Sequence, residues 1–408
     1  TTRAELVYFL DGGAVQLPVE RDGDVVRLIA PDGPHEFHIE DFQAIIPGHW
    51  PEHEWPERRS QAEAGEALDR FRASWWALEH GLTAEAVAML RSAHEADPSL
   101  EPVARLVSLL DRLDQPAQSP DLTHLRKVLS SGFSATESRR ILLLHEHSES
   151  EARERLDLLD RVLTTFTLTF SAQGFDLRLP AEKQVAVWFS RESDYVAFLR
   201  KEAGEAFLTT RGYYHPTRRV VFFYDGRSRA DEQRSRSLLE DRLTELDRAE
   251  QTLLAAPPGT RVRLSFSGDR PRTLDRPGAT RLIHRLRRET RRTLLLNELD
   301  RLRVDQGAAV HELVHQLVIA TGLAPRFDRF PIWLHEGLAM QFEAFRGGRW
   351  AGLAEVSEHR LEQWRKLRPA PALEPLLRDE GFGQGYSPER YAASWALIYH
   401  LRTKHPEG

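Results

Sequence analysis

Alternating apolar and polar residues at the start of the chain predict a small β-rich domain at residues 1–58. Short runs of β-branched and aromatic residues are separated by turn signals such as Asp11-Gly12-Gly13. The predicted strands are Val7–Leu10, Ala14–Val19, Val25–Ile29 and Phe37–Ile39.

From residue 59 the apolar positions recur at helical spacing, which predicts a helical segment at 59–116. Trp76, Gly81 and Ala93 stand near positions that tetratricopeptide repeats favour, so the segment resembles one or two such helix pairs. Fewer than three repeats are visible. This favours a helical spacer packed on the rest of the chain over a groove that binds a protein partner.

Strand-like and helical patterns are mixed from residue 121 onward, so the whole chain is predicted to be a multidomain α+β protein. The third domain is expected to span 121–408. Its predicted strands are 140–144, 185–189 and 219–224, and its predicted helices are 151–166, 194–203, 355–367 and 388–403.

Residues 226–305 are charged and helical, with a break at Ala256–Gly259, and are expected to form an insertion in the third domain. A stripe of arginines in it is interpreted as a solvated helix face, with Glu289 and Glu298 as counter-charges. The arginines are Arg281, Arg285, Arg287, Arg288, Arg291 and Arg292.

Composition excludes several classes of protein. The formal net charge of −6 argues against a general nucleic-acid-binding protein. No run of 18 apolar residues is present, so no membrane span is expected. The absence of Cys excludes disulfides and thiolate chemistry. The first residue is Thr1, which removal of a signal peptide would explain; export is therefore the expected localisation, with the cytoplasm as the alternative.

The strongest chemical signal is the pentapeptide His311-Glu312-Leu313-Val314-His315. Residues four apart share one face of a helix, so His311 and His315 can bind a single ion. Glu312 lies about 100° round the helix from His311, where a carboxylate can act on a metal-bound water. The flanking residues are apolar, which predicts a buried helix. Core histidines hydrogen-bonded to a buried glutamate are the alternative interpretation.

An open catalytic zinc site needs a third protein ligand, and Glu336 is the candidate. Thr321-Gly322 predicts the end of the first helix, and Pro331 suits the first turn of the helix that carries Glu336. The residues between His315 and Glu336 are numerous enough for a helix end, a loop and a second helix that brings the chain back.

These motifs resemble the gluzincin zinc metallopeptidases, in which H-E-x-x-H is followed some twenty residues on by a glutamate ligand. The closest resemblance is to a family of largely uncharacterised bacterial metallopeptidase-like proteins. Its motifs are matched here by the stretches 311–316 (HELVHQ), 333–339 (WLHEGLA), 342–343 (FE) and 391–397 (YAASWAL). The resemblance covers roughly residues 120–408 and implies a zincin-like domain of mixed sheet and active-site helices.

The resemblance implies hydrolysis of peptide bonds, with an endopeptidase preferred, in peptide or protein substrates. One zinc ion would be held by His311, His315 and Glu336, and Glu312 would be the general base. By the same resemblance Tyr391 is the first choice for stabilising the oxyanion and Tyr386 the second. The strand at 219–224 is expected to be either an edge strand that pairs with substrate or an internal strand.

Two neighbours of Glu336 have further predicted roles. Glu343 lies seven residues later on the same helix face, where it can orient a ligand histidine. His335 lies on another face and is expected to contact substrate or to be structural. The competing functions are a catalytically silent zinc-containing binding or scaffold protein and a hydrolase of a non-peptide substrate. The carboxylate of Glu312 favours the enzyme, since a structural zinc site needs no general base.

Overall fold

The computed structural model describes residues 4–48, 50–205, 208–257, 259–267, 270–324, 330–368, 372–380, 382 and 387–404. The fold is of the α+β class, as predicted. Two compact units are present. The first consists of Thr1–Trp50 with Arg227–Leu302, and the second of Pro51–Gly226 with Arg303–Gly408. Residues 227–302 thus belong to the same unit as the N-terminal β strands.

The elements are numbered in chain order. The strands are β1 (Ala4–Phe9), β2 (Ala14–Asp22), β3 (Val25–Ala30), β4 (Gly33–His38), β5 (Phe42–Pro47), β6 (Ser134–Glu137), β7 (Ile141–His145), β8 (Gln184–Phe189), β9 (Gly212–His215), β10 (Val220–Tyr224), β11 (Val262–Leu264), β12 (Arg272–Leu274), β13 (Phe345–Arg346) and β14 (Arg349–Trp350). The helices are α1 (Pro51–Ala64), α2 (Ala67–Glu79), α3 (Thr83–Ala96), α4 (Glu101–Leu113), α5 (Thr123–Val128), α6 (Glu149–Ala172), α7 (Glu192–Glu202), α8 (Ala230–Ala255), α9 (Arg276–Ala320), α10 (Ile332–Gln341), α11 (Glu358–Lys366), α12 (Leu373–Leu377) and α13 (Pro388–Lys404).

The first unit contains an antiparallel sheet in the order β4-β3-β2-β1-β5. The four predicted N-terminal strands are confirmed. Strand β5 was not predicted, because this edge strand has no buried residue and its half-buried and exposed residues show no clear alternation. Phe9, Leu17 and Phe37 of this sheet form a buried core together with Leu295 of α9.

The arginine stripe on α9 is less solvated than predicted. Arg288 donates to Asp11 at 2.6 Å, and Arg292 donates to the Gly12 carbonyl at 2.9 Å. The pairing of Arg285 with Glu289 is as predicted, at 3.7 Å. The interpretation as a solvated face is therefore wrong for Arg288 and Arg292. Their partners lie nearly 280 residues earlier in the chain, so helical periodicity could not predict these contacts.

The second unit contains a sheet in the order β6-β7-β8-β10-β9, in which β7, β8 and β10 are parallel and the outer strands antiparallel. Residues 220–224 of the stretch RVVFFY form β10, which lies between β8 and β9. The edge-strand interpretation of 219–224 is thus wrong, and the internal-strand alternative is confirmed. All five residues of β10 are buried, as suits an internal strand, and the edge is formed by the short strand β9.

Helices α1–α4 share one hydrophobic core with the sheet, α6 and the C-terminal part of α9. Leu78, Leu106, Leu159 and Leu313 are members of this core. The helical segment is therefore packed on the part of the chain that carries the H-E-x-x-H motif. Within the described parts of the chain, none of the helices is both long enough and apolar enough to cross a bilayer.

Candidate metal centre

The C-terminal part of α9 places two histidines on one face, as their spacing predicts. The imidazole rings of His311 and His315 lie 4.4 Å apart, centroid to centroid, and are nearly perpendicular. Both residues are buried, and the intervening Leu313 and Val314 are fully buried. Apolar packing of α9 thus fixes the two imidazoles in a dry environment.

Glu336 reaches the same point from α10. One carboxylate oxygen lies 3.0 Å from Nε2 of His311 and the other lies 3.6 Å from Nε2 of His315. One donor atom from each residue falls within 4.8 Å of the others. The structure therefore brings the three predicted ligands together.

Two contacts hold α10 in place. Asp379 caps its N-terminus, since the carboxylate accepts from the backbone N–H groups of Ile332 and Trp333 at 2.9 Å each. Gly337 allows close approach to α13, because a Cβ there would lie 2.7 Å from the Ser394 carbonyl oxygen. Glu336 is thus carried on a helix that is fixed at its end and on its flank.

The donor set fits a zinc ion. Two imidazole nitrogens and one carboxylate are the ligands of an open catalytic zinc site. Burial would lower the pKa of His311, but the hydrogen bonds to Glu336 and Glu343 outweigh it and raise that pKa well above 6.5. Burial likewise opposes ionisation of Glu336, yet the charges of the two histidines hold its pKa well below 4.5. The cluster therefore favours positive charge at its centre, which a divalent cation would supply.

Glu312 lies beside the three ligands and against strand β9. A Cβ on Gly212 would lie 2.7 Å from Cγ of Glu312, so only a glycine fits between them. The carboxylate also has a hydrogen bond with the backbone of Tyr214. Burial raises the pKa of Glu312, and the charges of His311 and His315 counter this in part. Edge strand β9 thus holds the predicted general base.

Glu343 contacts His311 on the side away from Glu336. Its Oε1 lies 2.7 Å from Nδ1 of His311. Arg360 of α11 binds the same carboxylate, with its Nε 2.9 Å from Oε2. Sequence reasoning missed Arg360 because nothing in the motif spacing connects α11 with the centre.

His335 stacks on His315. Their rings are 4.0 Å apart and inclined by 8°, and His335 is buried. Burial and the neighbouring His315 lower the pKa of His335 to about 2, so its imidazole is neutral. Of the two roles predicted for His335, this environment favours the structural one.

Of the two tyrosines predicted to stabilise the oxyanion, the structure describes one. Tyr391 lies in the first turn of α13 and packs in a cluster with Trp333, Leu376 and Phe382, its ring 6.0 Å from that of Phe382. Trp333 precedes Glu336 by one turn of α10, so Tyr391 borders the helix that carries the third ligand. Tyr386 lies outside the described residues.

Comparison with known protein families gives a match in the C-terminal part of the chain. Residues 306–408 are similar to a family described as a protein of unknown function (DUF1570). That stretch contains the three candidate ligands together with Glu312, Glu343, Arg360 and Tyr391. No curated protein and no solved structure matches the chain.

Proposed function

We propose that the chain is a zinc-dependent peptidase of the gluzincin type that cleaves internal peptide bonds. The observation that carries the proposal is the convergence of His311, His315 and Glu336, with the carboxylate of Glu312 held beside them. A structural site would need the ligands alone. The further carboxylate of Glu312, which is held against an edge strand, is therefore evidence for a hydrolytic function.

The metal would be held by Nε2 of His311, Nε2 of His315 and the carboxylate of Glu336. A bound zinc ion would supply Lewis acidity, activating a water molecule and polarising the scissile carbonyl. Glu312 would take the proton of the attacking water and deliver it to the leaving amine. Because burial raises its pKa, Glu312 is a stronger base than an exposed glutamate.

Strand β9 would bind the substrate main chain. One side of β9 pairs with β10, and Gly212 of this edge strand lies against Glu312. An extended peptide added to the edge would bring its main chain to the general base. Tyr391 is our candidate for stabilising the oxyanion, since it borders the helix that carries Glu336.

We further infer that the second unit has a zincin-like arrangement in which the tetratricopeptide-like helices brace the catalytic part. Their shared core with α9 supports a bracing role. Binding of a protein partner to these helices is the alternative role.

The test compares wild type with Glu312→Gln, each loaded with zinc, on a mixed peptide library read by mass spectrometry. We expect both proteins to bind one zinc per chain and only wild type to produce new internal termini. Zinc binding without cleavage by wild type would favour the silent binding protein. Equal cleavage by both proteins would remove Glu312 from the mechanism.

A further inference from the structure

We propose that Arg360 is a positioning residue for the metal centre. Acting through Glu343, it fixes the ring orientation of His311 and decides which ring nitrogen carries the proton. The inference rests on the proposed function, because it assumes that Nε2 of His311 faces a metal ion. Neither the motif spacing nor the resemblance to a known family points to this arginine.

The carboxylate of Glu343 lies between an imidazole and a guanidinium. Its Oε1 is 2.7 Å from Nδ1 of His311 and 3.2 Å from Nη2 of Arg360. Its Oε2 is 2.9 Å from Nε and 2.8 Å from Nη2 of the arginine. The side chains of Glu343 and Arg360 are only 12% and 11% exposed. Both charges are thus largely removed from water and depend on each other.

A guanidinium suits this place better than other donors would. Its planar fork presents parallel N–H groups that match the two oxygens of a carboxylate and so fix the plane of Glu343. A carboxylate that met His311 alone would be buried with unused acceptor sites, which is costly. Arg360 is itself anchored, since its Nη1 donates to Oε1 of Gln363 at 3.2 Å.

The consequence for His311 follows from hydrogen-bond roles. An ionised carboxylate can only accept, so Nδ1 of His311 must carry the hydrogen. With a metal ion in place of a proton at Nε2, the atom that faces Glu336 at 3.0 Å, the one remaining ring hydrogen would stay on Nδ1 and the Nε2 lone pair would face the ion. Partners that orient a ligand histidine in this way typically change metal affinity by about 10–100-fold when they are removed.

Zinc affinity without substrate is the readout, measured by competition with a chelator of known affinity. We expect Arg360→Met to bind zinc about 10–100-fold more weakly than wild type. Arg365→Met is the matched control, because Arg365 is exposed on the same helix, and it should bind zinc as wild type does.

A double-mutant cycle separates positioning from simple bracing of α11. If Arg360 acts through Glu343, then Arg360→Met combined with Glu343→Gln should bind zinc within about threefold of Glu343→Gln alone, because contacting residues are not additive. If the fold-losses of zinc affinity in the two single variants instead multiplied in the double variant, the proposal would be overturned. Wild-type affinity in folded Arg360→Met would also overturn it.

If Arg360→Met does not fold, the zinc affinity of Arg360→Lys tests the proposal instead. Lysine keeps the charge but lacks the fork, so we expect weaker zinc binding than in wild type, and unchanged affinity would overturn the proposal. Failure of wild type to bind zinc would instead defeat the proposed function, on which this inference rests. Wild type that binds zinc but cleaves no peptide would leave the role of Arg360 standing.

Discussion

Gly212→Ala is expected to displace Glu312, the proposed general base, without touching the candidate metal ligands. The new Cβ would lie 2.7 Å from Cγ of Glu312, while ordinary contacts begin at 3.4 Å. The Ala308 carbonyl oxygen, at 3.3 Å, limits how far the methyl group could move along the helix. The backbone of Gly212 is not in the left-handed region, so alanine is excluded there by space rather than by conformation.

The size of the effect follows from the overlap. Strand and side chain must separate by about 0.7 Å to reach ordinary contact. A misplacement near 1 Å of a group at the reaction centre costs on the order of 100-fold in rate. Overpacking also destabilises the fold by about 1–3 kcal/mol. We therefore expect kcat to fall about 100-fold, with zinc affinity close to that of wild type.

The assay is kcat on a peptide cleaved by wild type, with zinc affinity and thermal unfolding measured on the same samples. Gly307→Ala is the matched control. It lies on α9 one turn before His311, and among the described residues the nearest atom to its Cβ would be Cε2 of Phe345, at 3.9 Å. A folded Gly212→Ala variant with wild-type kcat would refute the reasoning that β9 positions Glu312.

Two further predictions concern a buried acid and the candidate oxyanion donor. Burial raises the pKa of Asp160 from 3.8 to about 6, so the folded state holds its proton more tightly than the unfolded state. The contribution of Asp160 to stability should therefore fall by about 3 kcal/mol as pH rises from ~4 to above ~6. Urea unfolding of Asp160→Asn should lack this fall, while Glu154→Gln, at an exposed position of the same helix, should keep it. Tyr391→Phe should lower kcat about 100-fold and leave zinc affinity unchanged, as expected when one oxyanion donor is removed; a change in kcat below about threefold would make Tyr391 a packing residue.

Local patterns predicted the convergence of His311, His315 and Glu336 well. The i, i+4 spacing of His311 and His315 and the apolar stretch around them specify a buried helix face. Helix-end and helix-start signals between His315 and Glu336 predicted the return of the chain. Glu343 contacts His311 as predicted, but the shared helix face was wrong, because α10 ends at Gln341 and Glu343 lies beyond it. Each of these inferences depends only on residues that lie close in sequence.

The missed features depend on distant pairs. Gly212 is 100 residues from Glu312, and its role appears only as the space that a Cβ would fill. The four residues of β9 are too short a run to predict an edge strand. Arg360 is unremarkable on an amphipathic helix until the turn after α10 brings Glu343 to it. Tertiary packing decides these contacts, and periodicity carries no information about them.

The most direct test of the central claim is the zinc stoichiometry and affinity of wild type beside Glu336→Gln. Glutamine keeps the size of the side chain but removes the charge that would face the ion. We predict one zinc per chain in wild type. Binding in the variant should weaken by more than the about 10–100-fold that loss of an outer-shell partner costs, since Glu336 would bind the ion directly. No zinc in wild type, or equal affinity in the two proteins, would contradict the assignment of His311, His315 and Glu336 as a metal centre.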